Sequence, residues 1–156
     1  MFGRVLVLTL AATLAAFAQK YDGPRPPKPD LPYLKHADNL VPTEAVMAKE
    51  EKKKDDSTYI IDGPTSSSRT PLASPIFLMQ AGKIMPDKLT LFKLEVKGSH
   101  RELFYPAKRG PEPIRIVVTK MSADGIWKIE VADSLDPGEY SLSPEGSNQA
   151  FCFKVF

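Results

Sequence analysis

The residue types that most often carry out chemistry in proteins are few and far apart in this sequence. The two histidines, His36 and His100, have no histidine or cysteine neighbour at the spacing of a metal-binding motif, which argues against a zinc site. Cys152 is the single cysteine, so the chain cannot form an intramolecular disulfide. We therefore predict that the protein holds no metal, no cofactor and no internal disulfide.

Three consecutive serines stand beside an arginine in the segment PTSSSRTP. A serine nucleophile needs a base within hydrogen-bond reach, and the sequence identifies neither a base nor a nucleophile-elbow motif here. Glycine motifs that bind phosphates or dinucleotides are also absent from the sequence. We predict a loop in which Arg69 pairs with a carbonyl or a carboxylate, and Arg69 and Cys152 are the candidate interaction residues.

Acidic and aromatic residues leave one further kind of chemistry open. The sequence has 19 acidic residues, enough for a pair that cleaves a glycosidic bond, although such a pair needs a deep cleft. A carbohydrate platform needs exposed aromatic rings, and Trp127 alternates with aliphatic residues, which predicts a place in the core. Tyr21, Tyr33 or Phe104 would have to supply such a platform.

The composition is that of an ordinary globular protein. Hydrophobic residues make up 42% of the 156 residues and charged residues 26%, which predicts a single hydrophobic core. The formal net charge is only +2, so nothing in the charge balance indicates binding to nucleic acid or to an anionic membrane.

Residues 1–18 have the pattern of a secretion signal. Arg4 gives the positive start, a run of thirteen largely apolar residues follows it, and Ala16 and Ala18 form a small-x-small cleavage motif before Gln19. A helix of that length covers about 20 Å, less than the roughly 30 Å of a bilayer core. We predict cleavage before Gln19, no membrane span in the mature chain, and a secreted or periplasmic location.

Two different segments precede the main domain in the sequence. Residues 19–40 are rich in proline, with five prolines between Pro24 and Pro32, and we predict a semi-rigid extended arm. Residues 41–56 have Glu44 near the start and lysines near the end. These charges would interact favourably with the two ends of a helix dipole. We predict a short charged helix over residues 41–56.

From residue 57 the apolar residues recur at every second position, and turn residues interrupt the pattern regularly. One two-residue turn at Gly98-Ser99 joins two strands in a register that places Glu95 opposite Glu102. No helical segment separates consecutive strands. We therefore predict an all-β antiparallel sandwich of seven or eight short strands over residues 57–156, immunoglobulin-like in architecture.

The segment LDPGEYSL resembles the corner before the penultimate strand of immunoglobulin-like and fibronectin-type domains. In that resemblance Pro137 and Gly138 make a type II turn, and Tyr140 hydrogen-bonds back to nearby backbone. Leu142 stands where disulfide-bonded immunoglobulin domains have a cysteine, and similar corners occur in prealbumin-like sandwiches. Residues 70–156 are also similar to small exported bacterial β-domains, a likeness that implies no activity.

The last strand, FCFKVF, alternates between two faces. Phe151, Phe153 and Val155 share one face and are expected in the core. Cys152 shares the other face with Lys154, and we predict a half-buried free thiol, with an intermolecular disulfide as the alternative.

These observations together predict an exported, non-catalytic β-module that acts in protein interaction or in cell-envelope structure. Its partner would be an envelope or extracellular protein, and strand addition at a sheet edge is one way to bind it. The alternative is a small carbohydrate-binding or sugar-processing protein, a hydrolase, with a pocket formed by loops that are distant in sequence.

Overall fold

The structure is a computed structural model and describes residues 20–156. The predicted signal residues Ala16, Ala18 and Gln19 lie outside the described residues. The described part of the chain is all-β and its sheets are antiparallel, apart from one short parallel pair. The strands, in chain order, are β1 (Tyr33–His36), β2 (Asn39–Pro42), β3 (Glu44–Met47), β4 (Lys49–Lys53), β5 (Asp56–Asp62), β6 (Arg69–Thr70), β7 (Ile76–Gln80), β8 (Leu89–Lys97), β9 (His100–Tyr105), β10 (Ile116–Lys120), β11 (Ile126–Val131), β12 (Gly138–Pro144) and β13 (Gln149–Val155).

The strands form two sheets. Sheet I has five strands in the order β10-β11-β7-β1-β2. Sheet II has eight strands in the order β3-β13-β12-β8-β9-β5-β4, with β6 beside β13. Ala48 alone separates β3 from β4, so the two ends of the sheet II order are consecutive in the chain. Sheet II therefore curls back on itself into a ring of strands, which we call the ring.

The predicted helix over residues 41–56 is wrong, because this segment forms β2, β3, β4 and the start of β5. Helix-favouring glutamate and lysine residues are present, but strand partners outweigh that preference. β3 pairs with β13, so that Val46 lies opposite Ala150. β4 pairs with β5 from Lys49 opposite Ile60 to Lys53 opposite Asp56. As strands, β3 and β4 each form backbone hydrogen bonds with a partner strand. A helix over the same residues would have had only a narrow apolar stripe to bury.

The second half of the predicted proline-rich arm also joins a sheet. β1 and the start of β2 lie within residues 19–40, and Leu34 is fully buried. The more proline-rich part before β1 forms no strand, but Pro29 makes an isolated bridge to Gln80. The prolines thus stop before Tyr33, where backbone N–H groups become necessary for pairing.

The core between the two sheets, which we call the inter-sheet core, is made of large side chains. Phe77 and Phe153 meet edge to face with ring centroids 5.0 Å apart, and Tyr140 stacks on Phe153 at 5.6 Å. The predicted burial of the Phe151, Phe153 and Val155 face is confirmed. The buried members of this core are Leu34, Phe77, Met79, Leu89, Leu91, Ile129, Val131, Leu135, Tyr140, Leu142, Phe151, Phe153 and Val155.

A second apolar cluster lies inside the ring, and we call it the ring interior. Its buried members are Ala48, Ile61, Leu94, Ala150 and Cys152, and the partly buried Val46, Tyr59 and Leu103 pack against it. These residues come from strands all around sheet II. Along each strand they alternate with residues that point outwards, as the two-residue period of a strand requires.

The predicted hairpin between β8 and β9 is confirmed. Glu95 lies opposite Glu102, and Gly98 has the positive φ of 60° that the two-residue turn needs. Lys97 offsets the repulsion between the two carboxylates, because its Nζ lies 2.9 Å from Glu102 and 3.9 Å from Glu95. Pairing between the two strands extends from the turn to Glu95 and Glu102, and β8 continues as a partner of β12.

Candidate functional site

One end of the ring holds a buried ion cluster around Arg101. The Arg101 side chain points inwards from β9 and is 1% exposed. Its Nη1 lies 2.8 Å from Glu44 Oε1 and 4.0 Å from Glu139 Oε2, so it contacts two strands across the ring. Its Nε and Nη2 donate hydrogen bonds of 2.9 Å to the carbonyls of Gly63 and Asp62.

The same cluster holds the serine-rich loop in place over this end of the ring. The Ser66 N–H donates to Glu139 and the Ser67 N–H donates to Glu44, each at 3.0 Å. Arg101 Nη1 and Glu44 Oε1 form a close ion pair, but the two atoms are not aligned for a hydrogen bond. The two carboxylates thus share one buried cation and accept hydrogen bonds from the loop backbone. This arrangement stabilises the loop and engages both acids in contacts within the fold.

Arg69 does not take part in the cluster. Its guanidinium carbon lies 4.0 Å from the centre of the Phe156 ring, a distance typical of a cation–π contact. The prediction that Arg69 pairs with a carbonyl or carboxylate of the loop is therefore replaced by stacking on an aromatic ring. Arg101 has the role that the sequence suggested for Arg69. Its position between His100 and Glu102 in an alternating strand gave no sign of burial.

Cys152 lies in the ring interior and is fully buried, not half-buried as predicted. Burial raises the pKa of its thiol from 9.0 to about 12; nearby Arg101 lowers it, and Glu44 and Glu139 raise it further. The thiol is therefore protonated at neutral pH and closed to solvent. The alternative of an intermolecular disulfide would require the ring to open.

The two histidines have separate partners. His36 Nε2 lies 2.8 Å from the Thr70 hydroxyl, and His100 Nε2 lies 2.9 Å from a carboxylate oxygen of Glu102. Residues 20–156 contain no group of three or more His, Cys, Asp or Glu side chains placed to hold a metal ion. Each histidine therefore serves a local contact of its own.

The other end of the ring opens into a pocket of about 420 Å³. Its floor is the ring interior, with Ile61 and Leu94 beside the two small residues Ala48 and Ala150. It lies where β8 and β9 separate beyond Glu95 and Glu102. The other lining residues are Tyr59, Thr90, Phe92, Leu103, Tyr105, Pro111, Pro113, Ser141, Ser143, Pro144, Glu145, Gly146, Ser147, Asn148 and Gln149.

Two tyrosines stand together on one wall of the pocket. The rings of Tyr59 and Tyr105 meet edge to face with centroids 6.3 Å apart. Burial raises the pKa of Tyr59, and nearby Glu50 and Tyr105 raise it further. Gly110 lies so close to Tyr105 that an added Cβ would meet the ring at 2.8 Å. The loop after β9 thus covers the outer edge of this wall.

Uncharged polar groups line the opposite wall. The hydroxyls of Ser141 and Ser143 are 3.0 Å apart and share a hydrogen bond. The side-chain amide of Gln149 donates to the Val46 carbonyl at 2.9 Å, so it is already satisfied by the fold. Glu145 is the one charged side chain among the described residues that line this pocket. The pocket is thus apolar at its floor, polar at one wall and free of cationic side chains.

The predicted corner has the expected hydrogen bond but a different turn. Tyr140 Oη donates to the Asp136 carbonyl at 2.6 Å. Gly138 is the first residue of β12, lies opposite Val155, and does not have the positive φ that a type II turn requires. The type II turn is therefore wrong, and Pro137 leads straight into the strand.

A second, shallower cleft of about 560 Å³ lies beside this corner. It gathers Glu112, Asp133 and Asp136 with Lys93 and Arg115. Arg115 Nη2 lies 3.9 Å from Asp133 Oδ1, and both side chains are more than half exposed. These charges are therefore solvated, unlike those around Arg101.

No family model, curated protein or solved structure matches this chain. Within residues 20–156 the structure contains no helix with the length and apolar character that a membrane crossing requires.

Proposed function

We propose that the protein is an exported, non-catalytic module that binds a protein of the cell envelope or the extracellular space by strand addition to β10. Export rests on the signal pattern that ends at Ala18. A non-catalytic role is supported by the ion cluster, whose acids are paired with Arg101 and with the loop backbone. The likeness to immunoglobulin-like domains rests on the corner at Tyr140.

The observation that carries this proposal is the row of outward backbone groups on β10. Among the described residues β10 pairs with β11 alone. The Arg115 carbonyl accepts a bond from the Ala132 N–H, and the Met121 N–H donates to the Ile126 carbonyl. Bonded residues alternate along an antiparallel pair, so every second residue of β10 faces away from β11. These outward residues are Ile116, Val118 and Lys120.

The other edge of sheet I is better protected. β2 is four residues long, and the Thr43 N–H donates to the Pro32 carbonyl. The same alternation makes Leu40 and Pro42 the outward residues of β2. Pro42 has no N–H, so this edge offers the single N–H of Leu40. Prolines at edges block the addition of another strand, and β10 has none.

The side chains of β10 also suit an added strand. Ile116 and Val118 pack on the inter-sheet core and hold the strand in place. Val117, which points the other way, is 49% exposed and offers an apolar contact to a partner. An extended peptide with β-branched residues fits this edge, because backbone bonds give affinity and alternate side chains give selectivity.

Variant capture experiments test this proposal. The mature chain is immobilised and envelope proteins are captured by the wild type, by Lys120→Pro and by Leu40→Pro. Lys120→Pro removes an outward N–H from β10, and we expect it to weaken capture by about tenfold or more. Leu40→Pro removes the matching N–H from β2 and should leave capture unchanged. Equal capture by all three folded proteins would contradict strand addition at β10.

The alternative, a carbohydrate-binding or sugar-processing protein, is supported by the three acids in the cleft beside the corner. An acid pair that cleaves glycosides needs one protonated carboxyl group. Glycan-array binding and release of reducing sugar measure this directly. If this alternative holds, Glu112→Gln and Asp133→Asn abolish the signal, and Lys120→Pro has no effect on it.

A further inference from the structure

The pocket of the ring exists because small side chains occupy its floor. Ala48 and Ala150 stand where longer aliphatic side chains would fill the ring interior, as Ile61 and Leu94 do on the facing strands. Its volume of about 420 Å³ falls in the range of small-molecule sites, about 300–1,000 Å³. Close-packed interiors rarely keep such space. The inter-sheet core of the same protein is filled by aromatic rings.

The lining restricts what can bind. The floor is apolar, and the aromatic wall holds Tyr59 and Tyr105. The polar wall offers the hydroxyls of Ser141 and Ser143, and Phe92 lies opposite Ser141 on the neighbouring strand. The described lining has no Lys, Arg or His, and its one charged group is the Glu145 carboxylate. An anionic ligand would therefore find no cation in the pocket to pair with. Burying an unpaired charge is costly, so anions are disfavoured.

We propose that this pocket binds an uncharged small molecule with an aromatic or aliphatic body and one hydrogen-bonding group. The body lies on Leu94, Ala48 and Ala150, and the polar group reaches the Ser141 and Ser143 hydroxyls. The ligand enters between β8 and β9, past Tyr105. This site is separate from the β10 edge, so the two proposals stand or fall independently.

Two fluorescent naphthalenes that differ by one charge test the ligand class. N-phenyl-1-naphthylamine is neutral, and 8-anilinonaphthalene-1-sulfonate has the same rings with a sulfonate. Fluorescence titration of the mature chain should give a Kd for the neutral compound that is at least about tenfold lower. Equal affinities, or tighter binding of the sulfonate, would overturn the proposal.

Two alanines close together in the chain provide a matched pair of variants. Ala48→Leu places a larger side chain on the pocket floor and should reduce binding of the neutral compound by at least about tenfold. Ala45→Leu adds the same atoms to an exposed position on the outer side of β3 and should leave binding unchanged. Equal binding by both folded variants would place the compound elsewhere and overturn the proposal.

A second variant keeps the test independent of how well the larger side chain of Ala48→Leu fits the floor. Thr90→Lys adds a cation to the pocket wall at a partly exposed position. We expect it to bind the sulfonate at least about tenfold more tightly than the wild type does. An unchanged affinity contradicts the assigned site.

Two further measurements separate this proposal from the others. Displacement of the neutral compound by an oligosaccharide would contradict the apolar ligand class. Lys120→Pro should bind both compounds as the wild type does.

Discussion

The inter-sheet core and the ring interior take side chains from opposite faces of β8 and β13, yet they are filled differently. Phe153 of β13 packs against Phe77 and Tyr140 in the inter-sheet core. Its neighbour Cys152 points into the ring, where Ala150 also lies. One face of sheet II therefore contributes packing to stability. The other face leaves space at one end of the ring and encloses charges at the other.

The largest expected effect comes from the same change made at one buried leucine of each interior. Leu142→Ala should lower the free energy of unfolding by about 4 kcal/mol, because it leaves a cavity in the filled inter-sheet core. Leu94→Ala removes the same atoms from the pocket floor, where fewer atoms surround the side chain, and should cost about 2 kcal/mol. Urea unfolding of both variants measures the two values. Similar losses would mean that the two interiors are packed alike.

The buried ion cluster should contribute more to stability than the exposed charges beside the corner. Arg101→Met leaves Glu44 and Glu139 without their buried cation, and we expect a loss of about 3 kcal/mol. Arg115→Met removes a cation whose partner Asp133 is exposed, and it should cost less than about 0.5 kcal/mol. A small effect of Arg101→Met on urea unfolding would show that this end of the ring is hydrated.

The buried Cys152 thiol makes the stability of the protein depend on pH. The pKa of the Cys152 thiol is about 12 in the folded protein, because of burial, and 9.0 in the unfolded chain. The stabilising effect is complete below pH 9 and is lost as pH rises towards 12, since the unfolded chain then binds fewer protons than the folded one. The wild type should therefore lose about 1–2 kcal/mol more than Cys152→Ala between about pH 8 and pH 10.5. Parallel pH profiles of unfolding would show an accessible thiol.

The smallest expected effects concern one hairpin from each sheet. Ala37 and Lys54 have φ values of 53° and 59° at the first position of the β1–β2 and β4–β5 turns. A positive φ at this position favours glycine, so Ala37→Gly and Lys54→Gly should each raise the free energy of unfolding by about 0.5 kcal/mol. Thermal unfolding measures this as a higher melting temperature. Asp38→Gly and Asp55→Gly, the next residue of each turn, should not. Stabilisation by all four changes would contradict the assigned turns.

The sequence predicted the strands whose alternation reflects a single buried face. The register of Glu95 with Glu102 and the burial of Phe151, Phe153 and Val155 follow from local spacing and are confirmed. The strands of residues 41–56 were missed: β3 pairs with β13, a partner about 100 positions away, and β4 has five exposed charged residues and no apolar alternation to mark it as a strand. Local composition favoured a helix there, and tertiary contacts decided otherwise.

The candidate sites were harder to predict because they depend on the closure of sheet II. Ala48 and Ala150 have no distinguishing pattern in the sequence, and they form a pocket floor only when β3, β4 and β13 meet in the ring. Arg101 lies in an alternating charged strand, where an exposed side chain is the usual expectation. Its two carboxylate partners come from β3 and β12, and only the folded ring brings them together.

The most direct test of the contrast between the two interiors is methyl NMR of the protein during titration with N-phenyl-1-naphthylamine. Saturation should shift the methyl signals of Ala48, Leu94 and Ala150 and leave those of Leu34 and Leu142 in the inter-sheet core unchanged. Shifts confined to Leu34 and Leu142, or no shifts at all, would contradict the account of the ring interior as the binding site.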